Sequence, residues 1–162
     1  MPFFTHRNAT RAKAIEPTYT ESPALLRELV RLYAEKLNAV TTAINASLSF
    51  GEQLPSVGAL FTALSRTESR AMHELGTLLL HMRIPALPQA PFPIPVLENP
   101  MESAKHCLSL FAARYRDVAA RYQRVCHLAR SAKAKEVLDR LSKEATANAE
   151  ALLSMHARLC RS

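Results

Sequence analysis

Apolar positions recur at alternating steps of three and four in four separate stretches of the chain. That rhythm keeps one stripe of each helix facing a partner. The clearest stretch contains Leu64–Leu79, LSRTESRAMHELGTLL. Its seam is Val57, Phe61, Leu64, Glu68, Ala71, Leu75, Leu78 and Met82. The pattern predicts a helix from about Ser56 to near Arg83, ending before Pro85. A carboxylate stands at the centre of its apolar stripe, with a small residue one turn on.

The other three stretches are also helical in period. The first runs from about Ser22 to Phe50, with Ser22-Pro23 resembling an N-cap followed by Pro at the first helical position. Two registers compete there. One is Leu26, Leu29, Tyr33, Lys36, Val40, Ala43 and Ser47; the other is Val30, Tyr33, Leu37, Val40, Ile44 and Leu48, which is wholly apolar. They share Tyr33 and Val40, which predicts one broad buried face with Lys36 on it or at its edge. The third helix is expected from about Met101 to Ala129, with seam Ala104, Leu108, Phe111, Tyr115, Val118, Tyr122, Val125 and Ala129. The fourth is expected from about Ala132 to Leu159, with seam Leu138, Leu141, Ala145, Asn148, Leu152, Met155 and Leu159. Only Arg130-Ser131 joins them, without Gly or Pro to enforce a stop.

Residues 84–100, IPALPQAPFPIPVLENP, carry six prolines. An extended path at ~3.1 Å per residue lets this segment travel the length of a helix, so a long crossover is expected. Residues 1–20 are polar and basic and read as a mobile tail. The expected organisation is therefore a tail over 1–20 and a four-helix bundle over 21–162, with the crossover at 84–100.

Composition narrows the class. The chain has 162 residues, enough for one domain with a substantial core; 48% are hydrophobic and 22% charged, with three Gly and no Trp. Three Cys without framework spacing favour a reducing, cytoplasmic setting over secretion. The first residues lack the apolar core and small-residue site of a signal peptide. No apolar run approaches ~20 residues, so no membrane span is expected. The formal charge of +7 attracts anionic partners, but no aromatic-plus-basic nucleic-acid module accompanies it. Arg114, Arg116, Arg121, Arg124, Arg130, Lys133 and Lys135 form the candidate basic face, with a solvated surface as the plainer reading.

At mid-height the seams place Glu68, Ala71, Tyr115, Ala145 and Asn148, with Lys36 if the first register of helix 1 holds. Large aliphatic residues give way there to small or polar ones, apart from Tyr115. The wider pattern resembles the ferritin-like superfamily, in particular bacterial rubrerythrin-like and manganese-catalase-like domains. LNAVTTAI is similar to the stretch after the family's first metal-binding Glu. TESRAMHELGTLL is similar to its second helix, where Glu-x-x-His precedes a Leu-Gly pair. ARYRDVAARYQ and VLDRLSKEATANAEAL resemble the third and fourth helices.

The resemblance implies an all-α, ferritin-like four-helix bundle and also shows what has changed. Lys36 stands where the first Glu is expected, and Glu68 is retained. Ala71 replaces a His, Tyr115 a Glu, and Ala145 and Asn148 a Glu and a His. A two-metal carboxylate site needs oxygen and imidazole ligands converging on both ions. With one ligand of six retained, no cofactor is expected, and the implied function is a non-catalytic structural or protein-interaction module. A homodimer is implied by resemblance alone. The alternative is an iron or manganese protein with a shifted ligand set, for redox or peroxide chemistry or metal storage; a third reading is a basic nucleic-acid-binding module. Within the converted layer, Lys36 is expected to pair with Glu68, with Tyr115 and Asn148 satisfying the remaining hydrogen bonds. The opposing expectation is that Lys36 snorkels to the surface along its methylene stem.

Other candidate ligands are weaker. His73 and Glu74 lie off the seam of helix 2 and read as an exposed pair, and Glu144 as a charge at the bundle edge. His106, Cys107, His156 and Cys160 fall near one end of the third and fourth helices, where a zinc site is conceivable. Cys126 and His127 lie at the opposite end.

Overall fold

Capping chemistry sets the ends of four helices in the computed structural model, which describes residues 21–82 and 99–161. They are α1 (Pro23–Gly51), α2 (Pro55–His81), α3 (Pro100–Leu128) and α4 (Ala132–Leu159). Before α1, Ser22 Oγ accepts from the Leu25 amide at 3.2 Å, and Pro23 opens the helix. Before α3, Asn99 Oδ1 accepts from the Met101 amide at 2.9 Å, and Pro100 takes the first helical position. Ser131 Oγ caps α4 through the Ala134 amide at 3.4 Å. Each cap satisfies an amide that the helix itself leaves without a partner. The expected tail over 1–20 lies outside the described residues, as does the crossover apart from Asn99 and Pro100.

The joint between α3 and α4 breaks although no Gly or Pro stands there. Ala129 and Ser131 both adopt extended backbone, with ψ of 137° and 129°. Glu21 holds the break open. Its Oε1 accepts from the Ser131 amide at 2.9 Å and its Oε2 from the Arg130 amide at 3.0 Å.

Cross-helix contacts define the topology. Lys36 meets Glu68, and Gly51 meets Gly58, so α1 and α2 run antiparallel. Glu21 reaches Arg130 and Glu35 reaches Arg121, so α1 and the α3 end of the chain also run antiparallel. Glu74 pairs with Arg140 and Glu144 with Arg70, which sets α4 antiparallel to α2. The helices therefore pair as α1 with α2 and α3 with α4, and the two hairpins meet through α1–α3 and α2–α4. It follows that α2 and α3 are parallel, with His81 and Pro100 at opposite ends. Among the described residues this is an all-helical four-helix bundle without strands.

The seams of α2 and α3 are buried as their periodicity predicts, Met82 alone being only half-buried. Helix α1 follows the first expected register at Leu29, Lys36 and Ala43, while Leu26, Tyr33, Val40 and Ser47 are only half-buried. Its buried stripe is Leu25, Leu29, Leu32, Lys36, Ala43, Ala46 and Phe50. The wholly apolar register is half-buried from Val30 to Val40 and turns outward only at its end, where Ile44 is 44% and Leu48 73% exposed. Small Ala43 and Ala46 let α1 approach its neighbours closely, and Lys36 is carried inward with them. In α4 the inward position is Ala149, with Asn148 half-buried beside it. A seven-residue step from Ala145 to Leu152 spans almost two turns of 3.6, so either neighbour fits the sequence rhythm. Below the central layer Phe61 bridges Phe50 and Phe111, at centroid distances of 6.1 and 5.2 Å. The second of these is an edge-on contact, the favoured aromatic geometry.

Candidate functional site

The centre of the bundle holds one ion pair. Lys36, at position 14 of α1, faces Glu68, at position 14 of α2, because the two helices run antiparallel from a tight connection. Lys36 Nζ donates to Glu68 Oε1 at 2.9 Å and lies 2.8 Å from Oε2. Lys36 is 4% exposed and Glu68 1%. The lysine does not snorkel to solvent. Its ammonium also sits 5.5 Å from the ring centroids of both Tyr115 and Tyr122, within the ~6 Å range of cation–π attraction.

The remaining hydrogen bonding differs from expectation. Glu68 Oε2 is close to the ammonium, but the angle there does not make a hydrogen bond. Neither Tyr115 OH nor Tyr122 OH has a hydrogen-bond partner among the described residues. Burial, followed by the charge of Glu68, pushes both phenols well above their ordinary range. Tyr115 is near enough to that carboxylate to feel it as an acceptor, although no well-formed bond closes in the structure. Asn148, expected to help, is displaced to the edge of the layer by Ala149. Ala71 and Ala145 are buried in the layer and bring no polar atom.

A narrow recess of about 20 Å³ opens between α1 and α3 beside the pair. Lys36, Glu68 and Tyr115 form its inner wall, and Glu35 and Arg114 stand among its half-buried lining residues. Next to it, Arg121 Nη1 donates to Glu35 Oε1 and Oε2 at 2.6 Å, and Arg121 Nη2 lies 3.5 Å from Glu28 Oε2. The sequence marks Arg121 only as part of a basic face and does not mark its two acidic partners. The available signal was the seven-residue spacing of Glu28 and Glu35, which places two acids on one face.

No family model, curated protein or solved structure matches the chain. The chemistry of the site therefore rests on its own geometry. Among the described residues, no three His, Cys, Asp or Glu side chains gather as a metal ion requires. Nor is any described helix long and apolar enough to cross a membrane.

The outlying candidates separate. His73 is exposed, whereas Glu74 is not a loose surface acid: it takes Arg140 in a two-pronged ion pair, one contact at 2.6 Å. Glu144 pairs with Arg70 at the α2–α4 edge. His106 is exposed and Cys107 buried, and burial pushes the Cys107 thiol up. His156 and Cys160 come within 3.9 Å on one face of the α4 end. Cys126 instead faces the Lys135 carbonyl at 3.6 Å, and His127 is exposed. The expected basic face is divided as well. Arg121 turns inward to Glu35 and Arg114 is half-buried, while Arg116, Arg124, Arg130, Lys133 and Lys135 remain exposed.

Proposed function

We propose that the protein is a metal-free, ferritin-like bundle that works as a structural or protein-interaction module and not as an enzyme. The observation that carries this reading is the buried Lys36–Glu68 pair in the central layer. The pair stands midway along α1 and α2, and the resemblance drawn from the sequence supports reading it as a converted metal layer. A carboxylate bonded to an ammonium is already neutralised, and a cation approaching it meets a like charge at 2.8 Å. Ala71 and Ala145 offer no lone pair where ligands would be needed, and Tyr115 is held as a neutral phenol. The site thus favours a fixed polar core over reversible metal or oxygen chemistry.

The interaction half of the reading draws on α1. Ile44 and Leu48 extend an apolar stripe onto the surface, the kind of feature that partner proteins cover. A second copy of the chain is the proposed partner, and three cysteines without framework spacing fit a reducing cytoplasm.

Metal analysis tests the proposal. Protein purified without chelator, then offered iron(II) or manganese(II), is expected to retain no stoichiometric metal after desalting. Two bound equivalents per chain would overturn it in favour of redox chemistry or metal storage with a different ligand set. A salt-sensitive mobility shift with nucleic acid would instead support the basic-module reading.

A further inference from the structure

We infer that the recess beside Lys36 is a binding site for one internal water molecule, held by Glu68 and Tyr115. Three observations converge. Tyr115 OH has no hydrogen-bond partner among the described residues, and Glu68 Oε2 faces only the Lys36 ammonium, at 2.8 Å without hydrogen-bond geometry; both side chains are more than nine-tenths buried. Both residues line the same recess. Its volume of about 20 Å³ exceeds the ~10–15 Å³ that one water requires.

The chemistry selects water over an ion. The site already contains one ammonium and one carboxylate in contact, with Glu35 and Arg114 in the same lining. A further charge of either sign would meet a like neighbour. Glu68 Oε2 accepts only, whereas Tyr115 OH both donates and accepts. A neutral molecule with both functions completes the set: it donates to Glu68 Oε2 and accepts from Tyr115 OH. Buried carboxylates left short of partners are costly, and internal waters typically serve two to four such groups. The inference does not rest on the ferritin-like reading, since it uses only the recess and the atoms around it.

A high-resolution crystal structure of the full chain, with solution NMR, tests the site. The expected result is an ordered density peak within about 3.2 Å of both Glu68 Oε2 and Tyr115 OH. In solution, a water cross-peak to the Tyr115 hydroxyl proton is expected, and it should be lost in Tyr115→Phe. A recess without density, in which Tyr115 OH bonds directly to Glu68, would overturn the inference. So would a resolved Tyr115 hydroxyl proton with no cross-peak to water.

Discussion

Lys36 and Glu68 neutralise each other across the α1–α2 interface, with Nζ 2.9 Å from Oε1 and both side chains closed off from solvent. Desolvating two charges offsets most of what their attraction contributes, so the pair specifies how the helices fit more than it stabilises them. Lys36→Met alone leaves an uncompensated buried carboxylate and is expected to cost about 3–5 kcal/mol. The double variant Lys36→Met with Glu68→Leu should recover most of that loss. Urea midpoints at unchanged m-value measure both. A single variant as stable as the double would contradict the buried-pair account.

Two glycines near the α1–α2 connection should respond in opposite directions. A Cβ on Gly58 would fall 2.6 Å from Gly51 Cα, backbone against backbone, whereas one on Gly51 meets nothing within 4 Å. Gly58→Ala is therefore expected to destabilise by about 1–3 kcal/mol despite its better helix propensity. Gly51→Ala is expected to stabilise by about 0.4–1 kcal/mol. Thermal unfolding of the two variants side by side checks the signs.

The phenols of Tyr115 and Tyr122 give the protein an alkaline limit. Both are raised by burial and then by the charge of Glu68. In the unfolded chain they ionise near ~10. Above that pH the unfolded state has lost protons that the folded state still holds, so stability falls as pH rises. Below it the contribution is fully present. Phenolate absorbance should appear for these two tyrosines only together with loss of helical circular dichroism. Their ionisation in a still-folded bundle would show that they are less secluded than the geometry indicates.

The outward stripe of α1 separates folding from association. At Ile44 and Leu48, substitution by Lys is expected to change stability by no more than about 0.5 kcal/mol. Lys at buried Ala43, one residue away, should unfold the protein. If self-association uses this stripe, Ile44→Lys with Leu48→Lys yields a monomer by light scattering while the parent chain is dimeric. A dimer that survives both changes places the contact elsewhere.

Helix limits are legible where local chemistry enforces them, as at Ser22-Pro23, whereas the tertiary layer needs helix rotation. For α2 and α3 each turn has one apolar face, so the sequence alone places Glu68 and Tyr115. Helix α1 carries two apolar stripes, and only packing against α2 decides that Ala43 and Ala46 go in while Ile44 and Leu48 go out. The same rotation brings Lys36 to Glu68, a pairing expected beforehand but resting on the family resemblance. Arg121 with Glu35, and Arg140 with Glu74, were not readable. Such pairs depend on relative rise and rotation of helices far apart in sequence, about which periodicity is silent. Glu21 was missed because its partners are backbone amides, which no residue pattern marks.

That carboxylate also bears on how the chain assembles. Each hairpin is built from neighbours in sequence, and local contacts form early. Glu21 joins residues 109 and 110 positions apart, ahead of α1 and at the α3–α4 joint. It can engage only after the second hairpin has turned and the first has docked on it. Amide exchange at Arg130 and Ser131 then reports the docking of the α1 start on the α3–α4 joint, separately from the formation of either hairpin. In Glu21→Ala those two amides should lose protection first, while the amides at the middle of α3 and α4 keep theirs. One side chain at the edge of an otherwise unremarkable basic segment thus acts as the clasp by which the front of the chain registers that the back has folded.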